Sequence, residues 1–410
     1  MFKYSAPILR KMKFAHMADC HLGAWREEKI KELNRKAFIS AVDECIKEKV
    51  DFILLAGDLF NTALPAVEAL KEVVVCFKHL KDLDVPVYII PGSHDFSPSG
   101  KTMIDVLEKA GLCINVAKGE EENGRLKLKF FQDKKTGAKI TGMIGKKGML
   151  EKSYFEALDR ESLEKEQGFK IFLFHTALTE LKDKSLEKME SSPISFLPKN
   201  FNYYASGHVH IRSEDNVEGY GPIIYPGPLF PNNFKELEQG TGGFYIYDNG
   251  KLNFKPVNVV KVYSIRIDCE FKIPEQIEEE MMSQINVLDF SDTIVMIRLE
   301  GRLKQGKPSD IRFKEVFNKF YEKNALFVMK NTSKLKSVEY DEIKVAVSNL
   351  EEIENSLVVE NVGQVKIEGD EQKLVQELMT LFNKEKLDGE ITCDFEARIK
   401  NEIDIFLKLN

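Results

Sequence analysis

The chain of 410 residues has no run approaching the roughly 18 consecutive apolar residues of a membrane span and no excess of positive charge. The first absence argues against a transmembrane segment. The second, a formal net charge of -7, removes any global field that would draw in nucleic acid, so a nucleic-acid surface has to be local. Cysteine is sparse and scattered: Cys20, Cys45, Cys76, Cys113, Cys269 and Cys393 form no CxxC pair and lack the regular spacing of a secreted disulfide framework. That pattern favours a reducing compartment, and a cytoplasmic protein is expected. Residues 1–11 are too short and mixed for a signal sequence and read as a leader. Tryptophan occurs once, at Trp25, and none of the seven histidines lies beyond position 210.

What is present is concentrated in five short motifs in fixed order: Asp19-Cys20-His21, Gly57-Asp58, Gly92-Ser93-His94-Asp95, a lone His175, and Gly207-His208-Val209-His210. Each ends an apolar, β-prone run, at 14–17, 52–55, 87–90, 171–174 and 203–205. In α/β sheets, ligands bind outside the carboxyl ends of strands, so five such ends can gather their loops around one point. Taken singly the motifs are weak, and a lone histidine after an apolar strand is more often packed than used. Two histidines at spacing two on an extended segment lie on one face, which makes the last motif more specific. The ordered set is hard to reconcile with packing alone.

From 12 to about 260, short strands alternate with amphipathic helices, expected over 27–49 and, behind a first-turn proline, over 65–83. The stretch 126–142 alternates like paired strands and 203–257 is rich in β-formers, which suggests two sheets rather than one doubly wound sheet. The expected fold is α/β, a four-layer α/β/β/α sandwich of two mixed sheets, with a small α+β domain at 261–340 of βαβαβ pattern. A charged carboxyl-terminal segment, 341–410, carries two helices with apolar stripes: Leu374, Leu378, Leu381 and Phe382, then Ile399, Ile403, Phe406 and Leu409.

Paired carboxylates and imidazoles at strand ends suit phosphoester hydrolysis, which needs an activated water, neutralised oxygens and a stabilised leaving group. Two metals roughly 3.5 to 4 Å apart supply all three. Asp58, with only glycine before it, is placed to bridge them. Asp19, His21 and His210 complete one site, and His175 and His208 serve the other. Such ligands suit Mn, Fe or Zn better than Ca. His94 projects from the opposite side of its loop towards substrate and is suited to protonate the leaving oxygen, with Asp95 orienting it.

These motifs resemble the DxH, GD, GNH(D/E), H and GHxH pattern of the calcineurin-like metallophosphoesterases. Within that superfamily, ADCHLG at 18–23, GDLF at 57–60 and PGSHDFSPSGK at 91–101 look most like the Mre/SbcD nucleases of double-strand-break repair. The resemblance implies a nuclease using two Mn ions at DNA ends, a DNA-capping domain at 261–340, a carboxyl-terminal helical region that binds a Rad-type coiled-coil ABC ATPase, and a homodimer. It also makes position 93 a ligand of the second metal. The family has asparagine there and this chain has Ser93, whose shorter hydroxyl is a weaker donor; several relatives have histidine where this chain has Asn61.

Two other readings remain open at this point: a two-metal phosphatase or phosphodiesterase for a non-DNA substrate, which would need no long carboxyl-terminal extension, and a DNA-end scaffold with catalysis weakened at Ser93. Cationic clusters at Arg125, Lys127 and Lys129, at Lys146 and Lys147, at Arg302, Lys304 and Lys307, and at Lys330, Lys334 and Lys336 are potential phosphate contacts, although each taken singly is better read as a solvated face. Trp25 either stacks on a base or packs.

Overall fold

Residues alternate faces along a strand, so a strand buried on both sides serves two cores at once. The structure is a computed structural model and describes residues 11–97, 102–146, 148, 150–240, 242–285, 289–337, 371–384, 386 and 392–407. Residues 1–10 of the leader, residues 341–370, Lys147 and Leu409 lie outside the described residues. The chain runs β1 (Lys13–Met17), α1 (Glu28–Lys47), β2 (Phe52–Ala56), α2 (Val67–Asp82), β3 (Val87–Ile90), α3 (Met103–Lys109) and β4 (Ile114–Asn115). A hairpin follows, β5 (Gly119–Glu122) and β6 (Arg125–Leu128), then β7 (Phe131–Gln132), β8 (Lys139–Gly142), α4 (Lys152–Ala157), α5 (Arg160–Lys165), β9 (Lys170–His175) and β10 (Tyr203–Gly207). Next come β11 (Ser213–Asp215), β12 (Ile223–Tyr225), α6 (Phe234–Gln239), β13 (Gly243–Asp248) and β14 (Lys251–Pro256).

Two six-stranded sheets result, ordered β14-β13-β1-β2-β3-β4 and β11-β12-β10-β9-β8-β7. Both are mixed. β1, β2, β3 and β4 run parallel while β13 and β14 join antiparallel; in the second sheet β8, β9, β10 and β12 are parallel, with antiparallel edges. Phe14, Phe52, Leu54 and Tyr88 of one sheet meet Ile171, Leu173 and Tyr203 of the other in the central core. The alternate residues Ala15, Met17, Ile53 and Leu55 face α1 and α2, against Ile30, Ala37 and Val73. On the far side, Phe172, Phe174 and Tyr204 pack with Phe155 of α4 and Leu163 of α5. This is the expected four-layer sandwich, and the 126–142 stretch divides as expected into strands, with β6 pairing back to β5 rather than onward.

Beyond the sandwich, β15 (Lys261–Asp268), α7 (Pro274–Ser283), β16 (Thr293–Arg302), α8 (Phe313–Glu322) and β17 (Phe327–Lys336) form a three-stranded parallel sheet. Its strands also serve two cores. Val295 and Ile297 meet Ile277 and Met281 of α7 and Val316 and Phe320 of α8, while Ile294 and Met296 join the core over the first sheet. Two further helices, α9 (Glu371–Phe382) and α10 (Thr392–Phe406), are linked by a Lys384–Glu402 ion pair at 2.7 Å. No helix among the described residues is long and apolar enough to cross a membrane.

One polar group pins the two sheets inside the apolar core. His16 of β1 is fully buried; its Nε2 donates to the Ser206 carbonyl at 3.0 Å, so its Nδ1 accepts from the Tyr203 hydroxyl at 3.0 Å. Burial lowers its pKa from 6.5 to about 3, outweighing the bond to Ser206. The unfolded chain therefore takes up a proton on this group near pH 6.5 while the fold refuses it until near pH 3, so stability is lost as pH falls through that window. Between about pH 7 and about pH 4.5 this one group should cost on the order of 2 kcal/mol. Denaturant titrations of the native protein and His16→Gln at the two pH values should show the variant losing less by that amount, and equal losses would rule the account out.

Candidate metal centre

The five motifs meet because their strands end side by side. β1 and β2 are in register from Phe14 opposite Phe52, and the pairing continues past the strand ends: Asp19 N donates to the Gly57 carbonyl at 3.1 Å and His21 N to the Asp58 carbonyl at 2.9 Å. β9 and β10 are likewise parallel, with His175 beside Gly207. The two pairs belong to different sheets, and here the sheets nearly touch. A Cβ on Gly207 would lie 2.2 Å from the Ala56 carbonyl, and one on Gly57, whose φ is +88°, 2.3 Å from His175 Nδ1. Asp19, His21, Asp58 and His208 all adopt positive φ, at 50°, 41°, 53° and 81°. Strain of this kind in non-glycine residues costs of order 1–3 kcal/mol each and collects at functional sites.

Asp58 sits at the centre, 2% exposed. Its Oδ2 is 3.5 Å from His21 Nε2, which comes from the first sheet, and 3.1 Å from His175 Nε2, which comes from the second. Its Oδ1 accepts from His94 N at 2.7 Å. Ligand atoms converge in three groups, Asp19 with His21 and His210, His21 with Asp58 and His94, and Asp19 with Asp58 and His175, all within 4.8 Å inside each group. Ser93 is buried with its hydroxyl 3.4 Å from Asp58 Oδ2. His208 joins none of the three groups; its ring lies 5.3 Å from that of His175, and its backbone N donates to Asp19 at 3.0 Å.

The nitrogens are oriented for a cation. His175 Nδ1 donates to the Ala56 carbonyl at 2.8 Å, which turns Nε2 inward, and that atom is buried beside Asp58 without making a hydrogen bond. A buried lone pair facing a carboxylate is costly unless something positive lies between them. Protons are the substitute: burial lowers the His175 pKa but the Asp58 carboxylate overrides it, raising it from 6.5 to about 10, while burial, opposed by Asp58, takes His21 down to about 3. Burial raises Asp19, although His210 and His175 oppose the shift. A cluster that apportions protons so unevenly suits divalent cations, and metal binding would displace them.

Sequence reasoning missed two supports. His210 Nδ1 is 2.9 Å from Glu236 Oε1 on α6, a carboxylate–imidazole pair of the kind that orients metal ligands. Glu236 is 26 residues away on a helix without a motif, and its only signal was the Asn233–Glu236 cap spacing, in which Glu236 N donates to Asn233 Oδ1 at 3.0 Å. His94 Nδ1 donates to the Asn61 carbonyl at 2.8 Å.

That second contact corrects the role expected of Asp95. Its carboxylate accepts from the backbone N of Leu59 at 3.2 Å, Phe60 at 3.0 Å and Gly92 at 3.0 Å, tying the β2 loop to the β3 loop instead of orienting His94. Burial, with Asp58 nearby, raises its pKa from 3.8 to about 7. Trp25 packs against the first core and its Nε1 donates to the Pro231 carbonyl at 2.9 Å. The 125–129 cations are paired along the hairpin, Lys127 with Glu122 and Lys129 with Glu120, while Arg125 lies 3.9 Å from Asp159. Lys146 lies over the Phe96 and Tyr154 rings, and Lys334 pairs with Glu300 at 3.3 Å.

A cleft of about 500 Å³ opens beside His210, lined also by Arg212, Pro228, Glu236 and Phe254. The family model for calcineurin-like phosphoesterases matches residues 12–212. The chain is 25% identical to the DNA double-strand break repair protein Mre11 of Archaeoglobus fulgidus, over 96% of this chain and 95% of that protein. It is 25% identical to Mre11 of Methanococcus maripaludis, over 83% and 89%, and 26% identical to Mre11 of Methanocaldococcus jannaschii, over 66% and 70%. The matched residues contain all five motifs and the strands that carry them, so the chain carries a calcineurin-like phosphoesterase domain.

Proposed function

We propose that this protein is a Mn-dependent exonuclease and endonuclease that hydrolyses phosphodiester bonds at DNA double-strand-break ends, acting with a Rad-type coiled-coil ABC ATPase in repair. The observation that carries the reading is Asp58 Oδ2 lying between His21 Nε2 and His175 Nε2, the position of a carboxylate shared by two ions. Relatives named for double-strand-break repair that align over most of the chain favour DNA over a small ester. Asp19, His21, Asp58 and His210 would hold one ion; Asp58, His175 and His208, with Ser93, would hold the other. When bound, the pair supplies an activated water and neutralises the phosphate oxygens.

The remaining work falls to the chain. With its Nδ1–H committed to the Asn61 carbonyl, His94 exchanges protons through Nε2, and from there protonates the departing oxygen. Asp95 acts one step removed, keeping the His94 loop seated on the Asp58 loop. Ser93, already within 3.4 Å of Asp58 Oδ2, has a reach shorter than an amide side chain and would leave the second ion the weaker of the two.

The outer segments fit the same reading. Residues 261–340 would cap the DNA. Helices α9 and α10 would grip the ATPase coiled coil: Ile399 is buried, whereas Phe382 at the end of α9 and Ile405 near the end of α10 stand 66% and 68% exposed, apolar side chains available to a partner helix. A homodimer would use α2, where Val67 and Val75, with Leu64 just before the helix, stand exposed.

Asp58→Asn should abolish tight binding of both ions in Mn titration calorimetry, whereas His94→Gln should keep both and lose about 10²- to 10⁴-fold in cleavage of linear duplex DNA. Turnover of a small phosphodiester alone by the native protein, with no cut in duplex DNA, would refute the nuclease reading. Ser93→Asn should tighten the weaker Mn step several-fold; two equally tight steps in the native protein would remove the reason for expecting this. Sedimentation should find a native dimer that Val67→Lys converts to monomer, and an unchanged dimer would exclude α2 as its interface.

A further inference from the structure

On a helix, residues two apart point in nearly opposite directions. Helix α6 has a carboxylate at each of two such positions, Glu236 and Glu238. Glu236 turns to the metal centre, with Oε1 2.9 Å from His210 Nδ1 and Oε2 accepting from Asn232 N at 2.8 Å. Glu238 turns to the three-stranded sheet and takes a forked grip from Arg298 of β16: Nε donates to Oε1 at 2.9 Å and Nη2 to Oε2 at 2.5 Å. The side chains of Glu238 and Arg298 are 4% and 14% exposed, Arg266 of β15 stands 3.6 Å from the same carboxylate, and Arg298 also lies 5.0 Å over the Phe234 ring.

A helix of six residues has almost no stability of its own, so α6 stays where its side chains are held. Leu237 anchors it in the first core, and the segment just before it is fixed by the Trp25 bond to Pro231. The forked, largely desolvated Arg298–Glu238 contact is its strongest polar anchor, and bidentate pairs of this type fix orientation as well as distance. We infer that Glu238 and Arg298 are positioning residues for the metal centre: through α6, the three-stranded sheet sets where Glu236 stands and thereby how firmly His210 can hold an ion. The nuclease core and the segment proposed to cap DNA are then coupled, because displacing β16 displaces a carboxylate that steers a ligand. The inference rests on the proposed metal-dependent reading of the site.

The test is Mn titration calorimetry on the full chain. His210→Gln identifies which binding step belongs to the His210 ion. The paired variant Arg298→Gln with Glu238→Gln removes both charges and so strands neither; it should weaken that step about tenfold, the lower end of what loss of an outer support costs a metal site, and leave the other step as in the native protein. The control is Arg312→Gln with Glu278→Gln, which removes another arginine–glutamate pair of the same segment, Arg312 Nε and Nη2 both donating to Glu278 Oε2 at 2.9 Å and 2.6 Å, away from α6. It should bind both ions normally. In a Glu236→Gln background the clamp variant should add little, since the effect runs through Glu236.

Native-like binding by the clamp variant, equal loss of both steps, the same loss in the control, or an undiminished effect without Glu236 would each overturn the inference. Should the paired variant fail to fold, Glu238→Gln alone keeps a hydrogen bond from the Arg298 guanidinium to the amide oxygen, loses the ion pair, and carries the same expectation at smaller size. A native protein that binds no Mn at all would instead defeat the metal-dependent reading from which the inference starts.

Discussion

Asp58 is the constraint on which the rest of the structure depends. Its carboxylate is buried between imidazoles delivered by two different sheets, and an unpaired charge in that position would cost several kcal/mol. Bringing His21 and His175 to it forces the sheets together at their carboxyl ends, closer than side chains normally permit. That closeness is why Gly57 and Gly207 have no room for a Cβ and why neighbouring residues accept left-handed backbone. Away from this seam the sheets are held apart by large side chains, Phe14, Phe52, Tyr88 and Tyr203 among them. The sandwich is thus wedged open by aromatics along its length and drawn shut at one end by charge.

Much of this was legible from residue pattern because the chemistry and the strand ends coincide. An apolar run followed at once by Asp, His or Gly-Asp is a local feature, and Asp19, His21, Asp58, His175 and His210 all fall where such runs stop. The layers were equally legible: the helix periodicity of α1 and α2 and the β-rich 203–257 stretch each state which faces are apolar. Supports supplied by main chain were not legible. Any residue at 61 offers a carbonyl, so the atom that holds His94 left no trace in the identity of Asn61. Asp95 misled for a related reason, since a carboxylate next to a histidine suggests a pair, and only the fold reveals that three backbone N–H groups compete for it.

For the cations and the single tryptophan the residue types admitted either function or local pairing, and along the hairpin and at Trp25 the structure shows local pairing. The 125–129 cations sit on a hairpin whose facing strand is acidic, and Lys127 and Lys129 find partners there. Trp25 follows a metal motif in sequence, yet its ring packs against the first core and its indole N–H is spent on Pro231. The nuclease activity proposed above would still need a surface that holds a phosphate backbone, and the cleft beside His210, where Arg212 lies 4.3 Å over the Phe254 ring, is a place for it.

The imidazoles of the centre are not supported alike. His175 and His94 lean on the carbonyls of Ala56 and Asn61, atoms fixed by the paired strand and loop backbone that also positions Asp58. His210 instead leans on a side-chain carboxylate, carried by a six-residue helix whose other face is clamped to a different sheet. Main-chain supports move only if the sandwich itself opens. A side-chain support on a short helix moves with whatever holds that helix, so the half of the centre that contains His210 is the half the rest of the molecule can adjust.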